Sequence, residues 1–186
     1  MLAMPQSTVQ LAPIIELIGK LWLHEVTSET LASMQSEEFR ETYEQLGGFV
    51  PESIDAQAIE NLAVEYCELL VGPRGHISPV QSVWSKNQFQ SEASSTMQKF
   101  FDLLPGYQPE SNLSDHIGVQ LNYLGALFSR SDDAHANEVA DHFVKTQLPW
   151  TSTFLDRVEQ KSGSEETPSP FYNGLSKVTR ALIGSL

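Results

Sequence analysis

The chain has 186 residues, of which 40% are hydrophobic and 19% charged, and its formal net charge is −13. This length and composition suit one globular domain with a buried core, which excludes a chain that is disordered throughout. The negative charge excludes nucleic acid as a partner, because phosphate contacts need basic side chains.

Three further features favour a soluble cytoplasmic protein. No apolar run approaches the roughly 18–20 residues that a membrane-spanning helix needs, so no stable membrane insertion is expected. Met1–Ser7 lacks the basic start and the small-residue cleavage site of a secretory signal. Cys67 is the only cysteine, which excludes a disulfide within the chain and fits a reducing compartment.

Apolar residues recur at helical spacing through most of the chain, and no segment alternates with period two for long. The spacing predicts an all-α fold, a single-domain irregular bundle of residues 1–186 with a mobile loop at about 161–169. It contains roughly nine helices: Gln10 to His24, one capped by Ser28 with Leu31 and Met34 inward, Glu37 to Leu46, Ile59 to Val71, Met97 to Leu104, Ile117 to Phe128, one capped by Asp132 or Asp133 and running through Val144, one from Thr151 or Ser152 through Val158, and Phe171 to Leu182.

Most of the negative charge lies between Glu25 and Glu68. Eleven acidic residues stand there against Arg40 alone, which leaves a net charge of −10 in that stretch. Such a surface would attract and steer a basic peptide. The plainer interpretation is a set of solvated helix faces that keep the protein in solution.

The fourth predicted helix ends at Gly72-Pro73 and is followed by a short loop with a second proline. Gly72 suits a helix C-cap, and Pro73 lacks the N–H that would continue the helix. The two prolines can simply join two helices at a fixed angle. They can also stiffen a loop that exposes Ile77, Val80 and Trp84, so that an extended peptide binds at a low entropic cost.

Asp115 and His116 open another apolar helix. Asp115 can accept backbone N–H bonds there as a cap, which alone would explain an aspartate at this position. The adjacent His116 could then be held in one orientation as a hydrogen-bond partner for a ligand or for a neighbouring loop. Cap and recognition site are equally open at this point.

No set of residues indicates catalysis, a cofactor or a metal. The chain lacks the zinc-binding HExxH pattern and the Gly-x-Ser-x-Gly turn of serine hydrolases, and Gly72–Gly75 lacks the ending of a phosphate loop. His135 and His142 share a helix but are seven residues apart, too far to chelate one ion unaided. Cys67 lies in an apolar helix and is expected to be a small buried packing residue.

Five segments together resemble the TorD/DmsD/NarJ-type chaperones, which mature molybdenum-containing redox enzymes. They follow one another in the family's order, although Val80 stands where the family often has an aromatic residue. The segments are Tyr66-x-x-Leu69-Leu70-x-Gly72-Pro73, Pro79-x-x-Ser82-Val83-Trp84, Asp115-His116-Ile117-Gly118-Val119 with Leu121 and Tyr123, His142-Phe143 with Leu148-Pro149-Trp150 and Phe154-Leu155, and Phe171-Tyr172-x-x-Leu175.

The resemblance implies a non-enzymatic chaperone of TorD-like fold. It would bind the twin-arginine signal peptide or the body of a molybdopterin-containing oxidoreductase precursor and assist cofactor insertion before export. A monomer is expected, with the domain-swapped dimer known in the family as the alternative. The residues carried over to the leader-peptide site are Tyr66, Leu69, Leu70, Gly72, Pro73, Pro79, Ser82, Val83, Trp84, Asp115 and His116.

A second class of function stays open beside the chaperone. The loop at 72–84, together with Asp115 and His116, could instead bind a small molecule or a guanine nucleotide, an activity that has been associated with the family. Binding of a leader peptide or of a nucleotide, measured by calorimetry, separates the two.

Overall fold

The computed structural model of the chain describes residues 7–73, 75–86 and 92–186. These ranges contain ten α-helices and one π-helix, with no strand beyond an isolated β-bridge, and the predicted all-α class is confirmed. None of the described helices is long and apolar enough to cross a membrane. The elements are α1 (Ser7–Leu23), α2 (Ser28–Ser33), α3 (Glu37–Gln45), α4 (Ala56–Tyr66), the π-helix (Cys67–Val71), α5 (Gln81–Lys86), α6 (Glu92–Asp102), α7 (Ile117–Phe128), α8 (Ala134–Gln147), α9 (Thr151–Ser162) and α10 (Pro170–Gly184).

Several helix ends differ from the sequence-based prediction. Thr27, not Ser28, caps α2, since its hydroxyl accepts the Thr30 N–H at 3.1 Å. The prediction of Asp133 as a cap is confirmed, because its carboxylate accepts the His135 N–H at 2.9 Å. The pattern misses α5, because a helix of six residues is too short to show a helical period.

The chain divides into two compact units. The expectation of a single domain, and of a mobile loop near its end, stays a prediction. In the structure α9 continues to Ser162, so the connection to α10 begins two residues later than the predicted loop at 161–169.

The first unit comprises the chain up to Leu23 and Pro79–Thr151. Its centre is α7, which is buried along almost its whole length, as its apolar character on several faces predicts. Glycines let α1 and α7 approach each other closely. A Cβ atom at Gly118 of α7 would lie 2.5 Å from the carbonyl oxygen of Gly19 in α1, so the two helices meet backbone to backbone.

An aromatic cluster packs beside α7 in the first unit. The Tyr123 ring lies 5.1 Å from the rings of Tyr107 and Phe143 and 5.4 Å from that of Phe101, each in an edge-to-face arrangement. The Tyr123 hydroxyl donates a hydrogen bond to the Phe100 carbonyl oxygen at 2.5 Å. Edge-to-face rings and a satisfied hydroxyl stabilise such a core beyond its buried area.

The second unit comprises His24–Ser78 and Ser152–Leu186. Here α10 lies against α4, with the Tyr172 ring 6.0 Å from the Tyr66 ring. The last helix also passes close to a loop, because a Cβ atom at Gly174 would lie 2.5 Å from the Phe49 backbone nitrogen. Arg180 joins α10 to α9 through Asp156 at 2.7 Å and Glu159 at 3.0 Å.

Candidate functional site

The eleven residues assigned by resemblance are divided between the two units. Most of them are buried, and two of the buried side chains, those of Asp115 and His116, accept backbone N–H groups. The first unit contains Pro79, Ser82, Val83, Trp84, Asp115 and His116, and the second contains Tyr66, Leu69, Leu70, Gly72 and Pro73.

In the first unit, two family segments lie side by side. Val80 and His116 form an antiparallel β-bridge. The Ile117 N–H donates to the Pro79 carbonyl at 2.9 Å, and the Gln81 N–H donates to the Asp115 carbonyl at 3.0 Å. The segment before α5 is therefore fastened to the segment before α7, although the two are more than thirty residues apart in the sequence.

Asp115 does not cap α7, so the first of the two alternatives left open for this residue, a cap on the helix that follows it, is wrong. Its carboxylate instead accepts the Ser82 N–H at 2.8 Å. Ser82 is the second residue of α5, and its N–H is one of the donors that a helix start leaves without an intrahelical partner. Val80, which precedes α5, has no side-chain acceptor, and Asp115 supplies the missing one. Buried to 1% exposure, it acts as a cap for a helix elsewhere in the chain.

His116 takes the capping role at α7. Its Nδ1 accepts the Gly118 N–H at 3.0 Å, and the side chain is only 4% exposed. An Nδ1 that accepts cannot carry a proton, so this geometry requires the neutral ring with its proton on Nε2. The bond to the Gly118 N–H of α7 thus contributes to the orientation of the ring.

The variant His116→Ala is expected to lower the free energy of unfolding by about 0.5–2 kcal/mol, the usual cost of a lost N-cap. His116→Asn should recover most of that loss, because asparagine is a good capping residue at the same position. Urea unfolding of both variants measures the difference. An equal loss in both would show that ring packing, rather than the cap, is what His116 contributes.

A buried side-chain network continues from this bridge. Gln120 of α7, fully buried, donates from Nε2 to Gln81 Oε1 at 2.6 Å and accepts from Trp150 Nε1 at 3.0 Å. An amide that donates on one side and accepts on the other has its orientation fixed. The network ties α5 to the Pro149-Trp150 segment. Sequence reasoning misses Gln120, although a lone glutamine within an apolar helix was the available signal.

The loop exposes less than the sequence suggests. Ile77 and Val80 are buried, so the prediction that both are exposed is wrong, while Val83 and Trp84 are half-buried. Val80 is buried because its backbone is paired with the start of α7. Ser82 is also buried and contributes its N–H, whereas its hydroxyl has no hydrogen-bond partner among the described residues.

In the second unit, the end of the π-helix and the loop after it are held by four hydrogen bonds. The Gly72 N–H donates to the Cys67 carbonyl at 2.5 Å, and the Ile77 N–H donates to the Leu69 carbonyl at 2.8 Å. Lys161 Nζ donates to the carbonyl oxygens of Glu68 at 2.8 Å and Gly75 at 3.0 Å. Gly72 therefore ends this helix, but in an extended conformation with φ −54° rather than a left-handed one.

The helix formed by α4 and the π-helix has apolar residues on both its buried side and its exposed side. Tyr66, Leu69 and Leu70 are buried. Burial raises the pKa of the Tyr66 hydroxyl, and the negative charge of Glu25 raises it further. Cys67 is exposed, so its prediction as a buried packing residue is wrong. The family-like residues thus face the interior of the unit.

A carboxyl group beside the π-helix is half-buried. The pKa of Glu65 is raised overall, chiefly because the carboxyl group is buried and also because Glu68 is a neighbouring negative charge. A hydrogen bond donated by the Ser169 hydroxyl at 2.6 Å opposes this shift. No group of three metal-ligating side chains is close enough to hold an ion in the ranges 7–73, 75–86 and 92–186. The arrangement offers hydrogen-bonded backbone, apolar surface and negative charge.

Comparison with known proteins adds the family. The family profile for the nitrate reductase delta subunit matches residues 33–158. "Chaperone protein TorD" of Shewanella sp. (strain ANA-3) is 25% identical over 195 residues, which cover 92% of this chain and 90% of that protein. "Chaperone protein TorD" of Shewanella oneidensis is 25% identical over 194 residues, with 92% and 86% covered. No solved structure matches the chain significantly. These relatives are chaperones, which confirms the expectation that the protein is not an enzyme.

Proposed function

The chain belongs to the nitrate reductase delta subunit family, and on that premise we propose that it is a cytoplasmic chaperone for the maturation of a molybdoenzyme. As a monomer it binds the twin-arginine signal peptide or the body of a molybdopterin-containing oxidoreductase precursor, and it holds the precursor until the cofactor has been inserted. The observation that carries this proposal is the similarity to TorD chaperones over 92% of the chain.

The charge distribution supports a basic ligand of this kind. The stretch from Glu25 to Glu68, which carries a net charge of −10, lies entirely in the second unit. A twin-arginine leader brings paired guanidinium groups next to an apolar segment, and opposite charge accelerates and strengthens the encounter. Salt screens such attraction between solvent-exposed charges.

Titration calorimetry with a synthetic twin-arginine leader peptide tests the proposal. We expect binding that weakens when sodium chloride rises from about 0.05 to 0.5 M, since the screening length falls over that range. Trp84→Ala should weaken binding further, because Trp84 is the half-buried aromatic residue of the carried-over set. A peptide with lysines in place of both arginines is the matched control and should bind more weakly, because ammonium groups cannot form the bidentate pairs of guanidinium.

One result would contradict the proposal, and a second would contradict only the electrostatic argument that supports it. If neither the leader nor the precursor body binds while a guanine nucleotide does, the protein is a nucleotide-responsive binding protein instead. If the leader binds with an affinity that does not depend on salt, the acidic stretch is only a solvated surface and the leader is recognised by apolar contacts.

A further inference from the structure

The solvent side of α4 and the π-helix carries an apolar stripe. Val64 is 51% exposed and Val71 60% exposed, and the exposed Cys67 lies between them in sequence. These residues are three and four positions apart, the spacing that places side chains on one side of a helix. We call Val64, Cys67 and Val71, with the exposed Glu60 and Glu68 beside them, the outer face.

Single exposed apolar residues are ordinary on a protein surface, but successive helical turns of them are not. Val64, Cys67 and Val71 together span about two helical turns, while Leu62, Tyr66, Leu69 and Leu70 of the same helices are buried. The core of the unit is therefore formed by the buried residues on the other side of the helix, and the exposed valines do not take part in it.

The charged residues of the outer face itself are both acidic. Glu60 and Glu68 are its charged residues, and Ala56–Val71 contains no lysine or arginine. In the described part of the chain neither carboxylate forms an ion pair. Lys161 Nζ donates to the backbone carbonyls of Glu68 and Gly75, and its single positive charge offsets only one of the two carboxylates.

This charge decides between the kinds of occupant. A second copy of the chain would bring a net charge of −13 toward the same acidic residues, which is unfavourable. A basic and apolar peptide would meet complementary charge and cover the valines at the same time. The outer face therefore suits a basic and apolar peptide better than a second copy of this chain.

We propose that the outer face docks an apolar segment of the client precursor that has a basic residue within about one turn of it. This inference rests on the proposed function and adds to it which residues of this helix touch the client. Tyr66, Leu69 and Leu70 hold the helix against the core of its unit, while Val64, Cys67 and Val71 make the contact.

Cys67 provides a direct probe, because it is the only thiol of the unaltered protein and it is exposed. The rate of its alkylation by a maleimide is measured with and without a saturating synthetic twin-arginine leader peptide. If the leader covers the outer face, the rate falls to about the fraction of protein that remains unbound. A rate that is unchanged while calorimetry shows saturation overturns the inference and leaves the proposed function standing.

Variants give a second measurement that does not depend on thiol chemistry. Val64→Asp and Val71→Asp are each expected to weaken leader binding by about tenfold, equivalent to 1.4 kcal/mol, because each removes apolar contact and adds like charge near the leader's path. Leu186→Asp is the matched control, since Leu186 is another exposed apolar residue, 39% exposed at the end of the chain. Circular dichroism checks that all three variants retain their helices.

The remaining outcomes are also decisive. Equal affinities of Val64→Asp, Val71→Asp and Leu186→Asp contradict the outer face as a docking surface. Protection of Cys67 that grows with protein concentration in the absence of peptide identifies a second copy as the occupant and overturns the inference. If neither leader nor precursor body binds at all, the proposed function fails and the inference fails with it.

Discussion

Gly118→Ala is expected to lower the free energy of unfolding by about 1–3 kcal/mol, the usual cost of overpacking a well-packed core. The added methyl group would lie 2.5 Å from the Gly19 carbonyl oxygen and 3.0 Å from the Leu23 backbone nitrogen. Both are backbone atoms of α1, so relief requires the two helices to separate. Separation in turn would loosen the packing of α7, the most buried helix of the first unit.

Urea unfolding followed by circular dichroism measures this loss. Gly184→Ala is the matched control, because a Cβ atom there meets nothing within 4 Å. Alanine is the better helix former by about 1 kcal/mol, so this control should be neutral or slightly stabilising. An unchanged unfolding midpoint for Gly118→Ala would contradict the close approach of α1 and α7.

Asp115→Ala is expected to cost about 1–3 kcal/mol of stability, because it leaves the buried Ser82 N–H without an acceptor. Under the proposed function it should also weaken leader binding, since α5 carries Trp84 and loses the bond that fixes its start. Asp115→Asn keeps an acceptor oxygen and should retain most of both properties. Thermal unfolding and leader titration of the two variants measure this.

The asparagine variant separates positioning from direct contact. If Asp115 acts by holding Ser82, its charge is not needed, and Asp115→Asn should bind leader nearly as well as the unaltered protein. If the carboxylate pairs with an arginine of the leader, Asp115→Asn should bind as weakly as Asp115→Ala while remaining stable. Binding loss without stability loss would therefore reassign Asp115 as a contact residue.

The exchange of roles between Asp115 and His116 shows where sequence reasoning stops. Either residue can cap the helix that follows, and local pattern does not choose between them. The choice depends on Ser82, which comes 33 residues earlier and whose helix is too short to be predicted. Because the Asp115 carboxylate binds the Ser82 N–H, His116 is the residue that accepts the Gly118 N–H at the start of α7.

The π-helix shows the same limit for an apolar helix. The spacing of Ile59, Leu62, Tyr66 and Leu70 predicts a helix that ends at Gly72, and it does. Spacing does not tell that Cys67 and Val71 face solvent, because apolar residues occur on both sides of this helix. The packing of α10 against α4, seen where Tyr172 meets Tyr66, decides which side is buried.

The sequence by itself determined the helical class, the central place of α7, the acidic character of the surface and, through five ordered segments, the family. Each of these follows from composition, from periodicity or from residues near one another in the chain. The tertiary structure alone decided that Ile77 and Val80 are buried rather than exposed, and that the side chains of Asp115 and His116 accept backbone N–H groups. Hydrogen bonds between distant segments and the choice of the buried helix side depend on partners that no local pattern contains.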